Sequence, residues 1–147
     1  MTRAFCVTLT IADNEAFTAF ETLNRLGVAT ADVVRSDVWL FDTAEGELQP
    51  PLATTLASIE TIFNPNKHRL IERTANRPES GEVWVTARGE TGTTTVAGRT
   101  IPGVRRIRRC TAWRLLDETG VPVAPGVLAR AIETFLCNSA FQEAITA

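Results

Sequence analysis

The sequence predicts an α+β protein in which helices pack on one face of an antiparallel sheet, built from two related units. Two observations carry this prediction. Stretches of period-2 apolar alternation, such as Phe5, Val7 and Leu9, are followed by stretches of helical spacing. In addition, "IET" followed by apolar residues and an asparagine occurs at 59–64 and again at 132–138. With 44% apolar and 22% charged residues over 147 positions, the composition is that of a globular protein.

The first element is a strand, and a helix follows it. Residues 4–11 alternate apolar and polar side chains, which is the period of a strand with one face on a core. Apolar residues then recur at helical spacing from Ala16 to Leu26, after cap candidates in "ADN". Gly27 is a natural residue for ending this helix.

The following elements complete a first unit, predicted at residues 1–76. Residues 31–43 contain the apolar run "VWLF", which indicates buried extended chain. A helix from Leu52 to Phe63 is predicted to stop at Asn64, because the next residue is proline. "KHRLIERT" then returns as a strand. Taken as β-α-β-β-α-β, these elements form the split βαβ, or ferredoxin-like, arrangement.

A second unit is predicted at residues 81–147, after the polar segment "ANRPESGE". "EVWVTARGE" and "VRRIRRCTAWRLLD" are predicted strands, separated by a Gly- and Thr-rich loop or hairpin rather than a helix. "VAPGVLARAIETFLCN" is a predicted helix, and Ser139 is a candidate cap for a last short turn in "AFQEAI". This unit therefore resembles the first but lacks its first helix.

The alignment of the two halves predicts an internal duplication. "VVRSDVWLFD" lies over "IRRCTAWRLLD", which matches Trp39 with Trp113 at an offset of 74 positions. The "IET" segments are offset by 73 positions, and Asn64 and Asn138 by 74 again. Such a repeat is typical of a unit that covers its apolar surface with a copy of itself.

These motifs resemble the PurS subunit of phosphoribosylformylglycinamidine synthase, over residues 4–74 and more weakly over 104–145. The carriers of the resemblance are "VVRSDVWLF", the helix ending in "FNP" and the strand ending in "IE". The resemblance implies a non-catalytic subunit that forms oligomers and links a glutaminase to a synthetase in purine biosynthesis. It also implies that Asn64, Pro65 and Asn138 shape helix ends, in a chain about twice the family's length.

An arginine-rich stretch is the strongest charge feature of a chain whose net charge is −2. In "GVRRIRRCTAWR", Arg106 and Arg108 would share one face of a strand. Three interpretations are open: an edge strand protected from aggregation, a surface for an acidic protein partner, and a site for nucleic acid or a nucleotide. The first is favoured and nucleic acid is the least favoured. The candidate interface residues are Arg105, Arg106, Arg108, Asn64, Pro65 and Asn138.

The sequence contains no motif that assigns a catalytic residue, a metal ligand or a cofactor. His68 is the only histidine, and Glu72 is its single candidate acid–base partner. Three widely spaced cysteines and the absence of a signal peptide at the start indicate a cytoplasmic protein without disulfides. No apolar run is long enough for a membrane span. Besides the assembly role, two functions stay open: a small-molecule-sensing regulatory module, and a small enzyme that uses His68 or Cys110.

Overall fold

The computed structural model describes residues 1–147 and shows an α+β chain with a six-stranded antiparallel sheet, in agreement with the predicted class. The strands lie in the order β3-β1-β2-β5-β4-β6. The elements are β1 Thr2–Leu9, α1 Asn14–Arg25, β2 Asp32–Thr43, α2 Leu52–Ala57, β3 His68–Arg73, β4 Glu82–Ala87, β5 Val104–Leu116, α3 Pro125–Ala131 and β6 Gln142–Thr146. A π-helix, Ile132–Leu136, continues α3.

The chain between α1 and α2 forms one long strand, β2. The elements up to residue 76 therefore run β-α-β-α-β, with one strand fewer than the sequence predicted. The physical reason is visible in "DVVRSDVWLFDT", which contains no glycine, proline or asparagine that would turn the chain back. Twelve residues of β-favouring sequence stay extended instead.

Helix α1 begins and ends at the predicted residues. The carboxylate of Asp13 accepts hydrogen bonds from the backbone N–H groups of Glu15 and Ala16, at 3.0 and 3.1 Å. This caps two donors that have no partner within the helix. Gly27 follows the helix at φ +83°, a left-handed conformation that costs glycine little. Leu23 is fully buried and anchors the helix to the sheet.

Helix α2 ends six residues earlier than predicted, at Ala57 rather than Phe63. The hydroxyl of Ser58 donates to the carbonyl of Thr55 at 2.7 Å, and the Ser58 N–H donates to the same oxygen. Local serine hydrogen bonds of this kind compete with the helical ladder. The chain continues as tight turns to Phe63, and Asn64–Pro65 begins the next turn rather than ending the helix.

The sequence predicted a last short turn in "AFQEAI" capped by Ser139, but only residues 139–141 form a turn, and the chain then ends in a strand. Residues 142–146 form β6, which pairs antiparallel with β4, for example Ala144 with Val85. A five-residue segment has little helical stability of its own, and pairing with a neighbouring strand supplies its backbone with hydrogen bonds. The side chain of Asn138, not that of Ser139, closes the preceding turn.

The first compact unit consists of residues 1–11, 37–76 and 90–109. Its strands are β3, β1, the second part of β2 and the first part of β5. The core of this unit contains Phe5, Phe41, Leu52 and Leu56, all at most 1% exposed. The segment 90–103 contributes Val96 and Ile101 to this core, although it contains no helix.

The second compact unit consists of residues 12–36, 77–89 and 110–147. Its strands are the first part of β2, the second part of β5, β4 and β6, and its core includes α1 and α3. Leu23, Val83, Leu115 and Ala131 are fully buried there. Neither unit is continuous in the sequence.

Candidate functional site

The arginine-rich stretch lies on β5, which pairs between β2 and β4 in the interior of the sheet. The favoured interpretation of these arginines as protection for an edge strand is therefore wrong. The misjudgement has a physical cause: a strand rich in arginine looks exposed in a sequence, but an interior strand can keep such side chains when carboxylates of neighbouring strands pair with them.

Asp42 on β2 pairs with two of the predicted interface residues. Its carboxylate lies 2.7 Å from Nε of Arg106 and 3.3 Å from a terminal nitrogen of Arg108. Burial raises the pKa of Asp42, but hydrogen bonds from Thr2 and Arg106 and the charge of Arg108 outweigh burial and lower this pKa below its ordinary value. The carboxylate therefore stays ionised and neutralises part of the arginine charge.

The other arginines of the stretch differ in their surroundings. Arg109 pairs with Asp37 at 2.9 Å, and its guanidinium lies 5.1 Å from the centre of the Trp39 ring. Arg114 pairs with Glu79 at 2.6 Å. Arg105 is exposed and has no ion pair. Four of the five arginines therefore have carboxylate partners within the chain.

Asn64 closes a turn between α2 and β3. Its carbonyl accepts from the backbone N–H groups of Lys67 and His68, at 3.1 and 2.8 Å. Its side-chain oxygen accepts from the N–H of Asn66 at 2.9 Å, and its own N–H donates to Nδ1 of His68 at 2.9 Å. The carbonyl, the N–H and the side-chain oxygen of Asn64 thus each have a hydrogen-bond partner within the turn. Pro65 occupies the next position, where its fixed φ suits the turn.

Asn138 closes a second turn, between the π-helix and β6. Its carbonyl accepts from the N–H groups of Phe141 and Gln142, at 3.0 and 2.7 Å. Its side-chain oxygen accepts from the N–H of Ala140 at 3.1 Å, and its own N–H donates to Oε1 of Gln142 at 2.9 Å. Ser139 stands where the first turn has Pro65. Both asparagines therefore hold turns through their own hydrogen bonds.

His68 has a structural environment rather than a catalytic one. Glu72, its predicted acid–base partner, forms two hydrogen bonds with Arg3 instead, at 2.7 and 2.8 Å. Nδ1 of His68 accepts the hydrogen bond from Asn64, which places the ring proton of the neutral form on Nε2. Burial and the charge of Lys67 lower the pKa of His68 below its ordinary value. The neutral ring that accepts this hydrogen bond is therefore the favoured form.

The cysteines and acidic residues form no further reactive cluster. Cys6 and Cys110 are buried and Cys137 is half-buried, and none of the three forms a disulfide. No group of three or more His, Cys, Asp or Glu side chains is arranged to hold a metal ion. None of the helices combines the length and the apolar character that crossing a lipid bilayer requires.

Two exposed isoleucines at the sheet edges were not identified from the sequence. Ile71 on β3 is 49% exposed, and Ile145 on β6 is 51% exposed. β3 and β6 are the two edge strands of the sheet. The signal that finds these residues is the same offset of 74 positions that relates Asn64 to Asn138. This offset marks the two positions as a pair, but their exposure follows only from the strand order of the sheet.

No protein-family model matches the chain, and no curated protein matches its sequence.

Proposed function

We propose that the chain is a duplicated ferredoxin-like protein that acts as a non-catalytic assembly module. The two asparagine turns support the duplication. Four hydrogen bonds recur at the same relative positions in residues 64–68 and 138–142. Since only two of the five side chains in each turn make these bonds, the shared pattern reflects a shared backbone path.

The strand order supports the same proposal. From one edge the strands run β3-β1-β2, and from the other they run β6-β4-β5. In the proposed repeat these are the last, first and middle strands of each copy. The π-helix Ile132–Leu136 accounts for the change in offset from 73 to 74, because a π turn absorbs one additional residue within a helix. The additional residue lies between "IET" and Asn138.

The observation that carries the functional proposal is the pair of similar edge strands. Each edge presents unpaired backbone groups and one half-exposed isoleucine, Ile71 or Ile145, at the equivalent position. An open edge with an apolar side chain is the surface on which another protein adds a strand. The module thus offers two docking edges, as a component that joins two proteins requires.

The two edges differ in charge, so they would favour different partners. Arg69 is exposed on β3, whereas the equivalent residue of β6 is Glu143, also exposed. Arg73 on β3 corresponds to the uncharged Ala147. The β3 edge would therefore favour an acidic strand, whereas Glu143 on the β6 edge already has Arg88 at 3.8 Å and would attract a basic strand less strongly. Two unlike partners on one scaffold agree with the role implied by the PurS resemblance, a link between a glutaminase and a synthetase.

The proposal is tested by affinity purification of the chain from lysate, followed by identification of co-purified subunits. Glutaminase and synthetase subunits are expected. Ile71→Lys should remove one partner and Ile145→Lys the other, because each introduces an unpaired charge at one edge. Recovery of the bait alone would overturn the proposal.

Ile11→Lys is the matched control, since Ile11 is 57% exposed but lies outside the edge strands. This variant should retain both partners. Loss of partners in the control as well as in the edge variants would show that general surface hydrophobicity, and not the edges, was responsible for the capture.

A further inference from the structure

A cavity of about 460 Å³ in the second unit is lined by residues of both helix α3 and the end of strand β6. The helix contributes Leu128 and Ala129, the π-helix that continues it contributes Ile132, and the strand end contributes Thr146 and Ala147. Leu128 belongs to the core of the unit, so this wall is held in place by packing. Concave and mainly apolar surfaces of roughly 300–1,000 Å³ are typical of sites that bury an apolar group of a ligand.

Strand β6 leaves one side of its backbone unpaired, because it is an edge strand of the sheet. The N–H of Arg88 on the neighbouring segment donates to the carbonyl of Phe141 at 2.8 Å, and the register continues with Ala144 opposite Val85. In an antiparallel pair, residues that bond to the neighbouring strand alternate with residues whose backbone groups point away from it. The N–H and C=O groups of Ala144 and Thr146 therefore point to the open side of the sheet.

The same two residues lie on the face of the sheet that packs against α3. Ala144 is opposite Val85 and Thr146 is opposite Val83, and both valines share a core cluster with residues of α3. Side chains of directly opposite residues in a sheet lie on the same face. A further strand paired with β6 would therefore direct the side chain opposite Thr146 towards the cavity, whereas Ile145 would contact its alternate side chains on the other face.

The charges around the cavity balance and do not select its occupant. Glu79 is the only charged side chain in the lining, and Arg114 engages it at 2.6 Å. Arg114 also lies 3.8 Å from Glu82, and Arg77 lines an adjoining cavity that shares Glu79. Two carboxylates thus offset two guanidinium groups. The apolar wall decides the occupant, because a large apolar side chain gains free energy on burial there and a charged one loses its hydration.

We propose that a partner strand added to β6 places one large aliphatic or aromatic side chain in this cavity. The inference rests on the proposed docking role of the β6 edge and names what this edge selects, an extended segment with a bulky apolar residue opposite Thr146. Backbone hydrogen bonds to Ala144 and Thr146 hold the segment, and the cavity supplies the sequence preference.

The test begins with a phage-displayed library of random eight-residue peptides, selected on the intact chain. The selected peptides should share one large apolar residue at a fixed position. The strongest is synthesised and titrated by fluorescence polarisation, and replacing its shared residue by alanine or lysine should weaken binding about tenfold or more, because the buried apolar area is lost. No enrichment of peptides, or enriched peptides without such a residue, would overturn the proposal.

Ala144→Pro separates strand addition from binding in the cavity alone. Proline lacks the N–H that Ala144 directs to the open side, while the hydrogen bonds between β6 and β4 remain. The variant should weaken the peptide about fivefold, as expected for one backbone hydrogen bond. Ala144→Ser keeps the N–H and should bind as the wild type does. Unchanged binding by the proline variant would overturn strand addition.

Ala129→Leu tests the cavity, and thermal unfolding checks that each variant is folded. Leucine adds bulk to the lining while keeping a strong helix former, and should weaken the peptide about tenfold. Ala53→Leu, at an exposed position of α2, is the control and should have no effect. Binding by folded Ala129→Leu at the wild-type affinity would overturn the proposal.

This inference and the assembly role fail in different ways. If Ile145→Lys removes a partner from the lysate but Ala144→Pro and Ala129→Leu both retain it, the assembly role stands and the cavity has no part in it. If the selected peptide behaves as described and the lysate yields the bait alone, the strand site on β6 stands and the assembly role fails.

Discussion

The turns at residues 64–68 and 138–142 have the same hydrogen bonds, yet the chain reaches them in different ways. Before Asn64, a short α-helix loosens into tight turns at Ser58. Before Asn138, the helix persists through a five-residue π segment. The asparagine therefore specifies the turn regardless of the helix in front of it. In these two segments, the hydrogen bonds made by the asparagine are therefore more constant than the length of the preceding helix.

Pro65 also indicates that the asparagine specifies the turn. Pro65 was expected to stop a helix, but the helix before it ends at Ala57. The second turn has the same hydrogen bonds with Ser139 in this position. Proline therefore stiffens a turn that asparagine already determines.

The largest expected effect comes from removing one residue from the segment that precedes each asparagine. The segment before Asn64 lacks the additional residue that precedes Asn138. Deletion of Thr61 should therefore move Ile62 out of the core and lower the free energy of unfolding by about 2 kcal/mol or more. Deletion of Cys137 should cost only about 1 kcal/mol, since the π segment can become regular α-helix. Urea denaturation measures both, and equal losses would contradict the insertion that we propose.

A smaller effect is expected from the asparagines. Asn64→Ala and Asn138→Ala each remove one side-chain acceptor for a backbone N–H, at a cost of about 1 kcal/mol. The two losses should agree within a few tenths of a kcal/mol, because each side chain accepts the same single hydrogen bond.

The aspartate variants Asn64→Asp and Asn138→Asp are the controls, since aspartate keeps the acceptor oxygen. Thermal unfolding compares all four variants. Losses at the two alanine variants that differ by more than about 1 kcal/mol would show that the turns are energetically unlike.

The smallest expected effect concerns pH. His68 has a lowered pKa in the folded chain, mainly through burial. Its contribution to stability is therefore complete at a pH above its pKa in the unfolded chain, which is about 6.5. Stability should fall as the pH drops below this value towards the folded pKa, because the unfolded chain then binds the proton more readily.

His68→Gln imitates the second turn, in which Gln142 accepts the equivalent hydrogen bond. The free energy of unfolding of the variant should match that of the wild type within about 0.5 kcal/mol at pH 8. The variant should also lack the loss of stability at low pH that protonation of His68 causes. Denaturation curves at pH 8, 6.5 and 5 provide the measurement. An unchanged pH dependence in the variant would assign the sensitivity to carboxylates such as Asp42, whose pKa is also lowered.

Local signals in the sequence predicted most of the elements and few of the side-chain environments. The cap at Asp13, the end at Gly27 and the extended character of β5 follow from residue type and spacing. The interior position of β5 does not, because pairing order depends on contacts between distant segments. The carboxylate partners of Arg106 and Arg109, 64 and 72 residues away, depend on the same contacts.

The short strand β6 and the early end of α2 were missed for a second reason. Both depend on competition between weak local preferences and hydrogen bonds made elsewhere, which a sequence pattern does not weigh. The exposed isoleucines were missed because Ile71 and Ile145 resemble ordinary strand residues until the edges are known. The similarity between the two "IET" segments was the one long-range signal that the sequence offered.

The interleaving of the two units along the chain has a consequence for any attempt to divide the molecule. A cut after residue 76 leaves the first fragment without 90–109 and the second without 12–36. Neither fragment then contains all the side chains of one core, since Ile101 and Leu23 lie on the wrong side of the cut. Produced as a separate polypeptide, each fragment is therefore expected to lack a complete core and to fold poorly on its own.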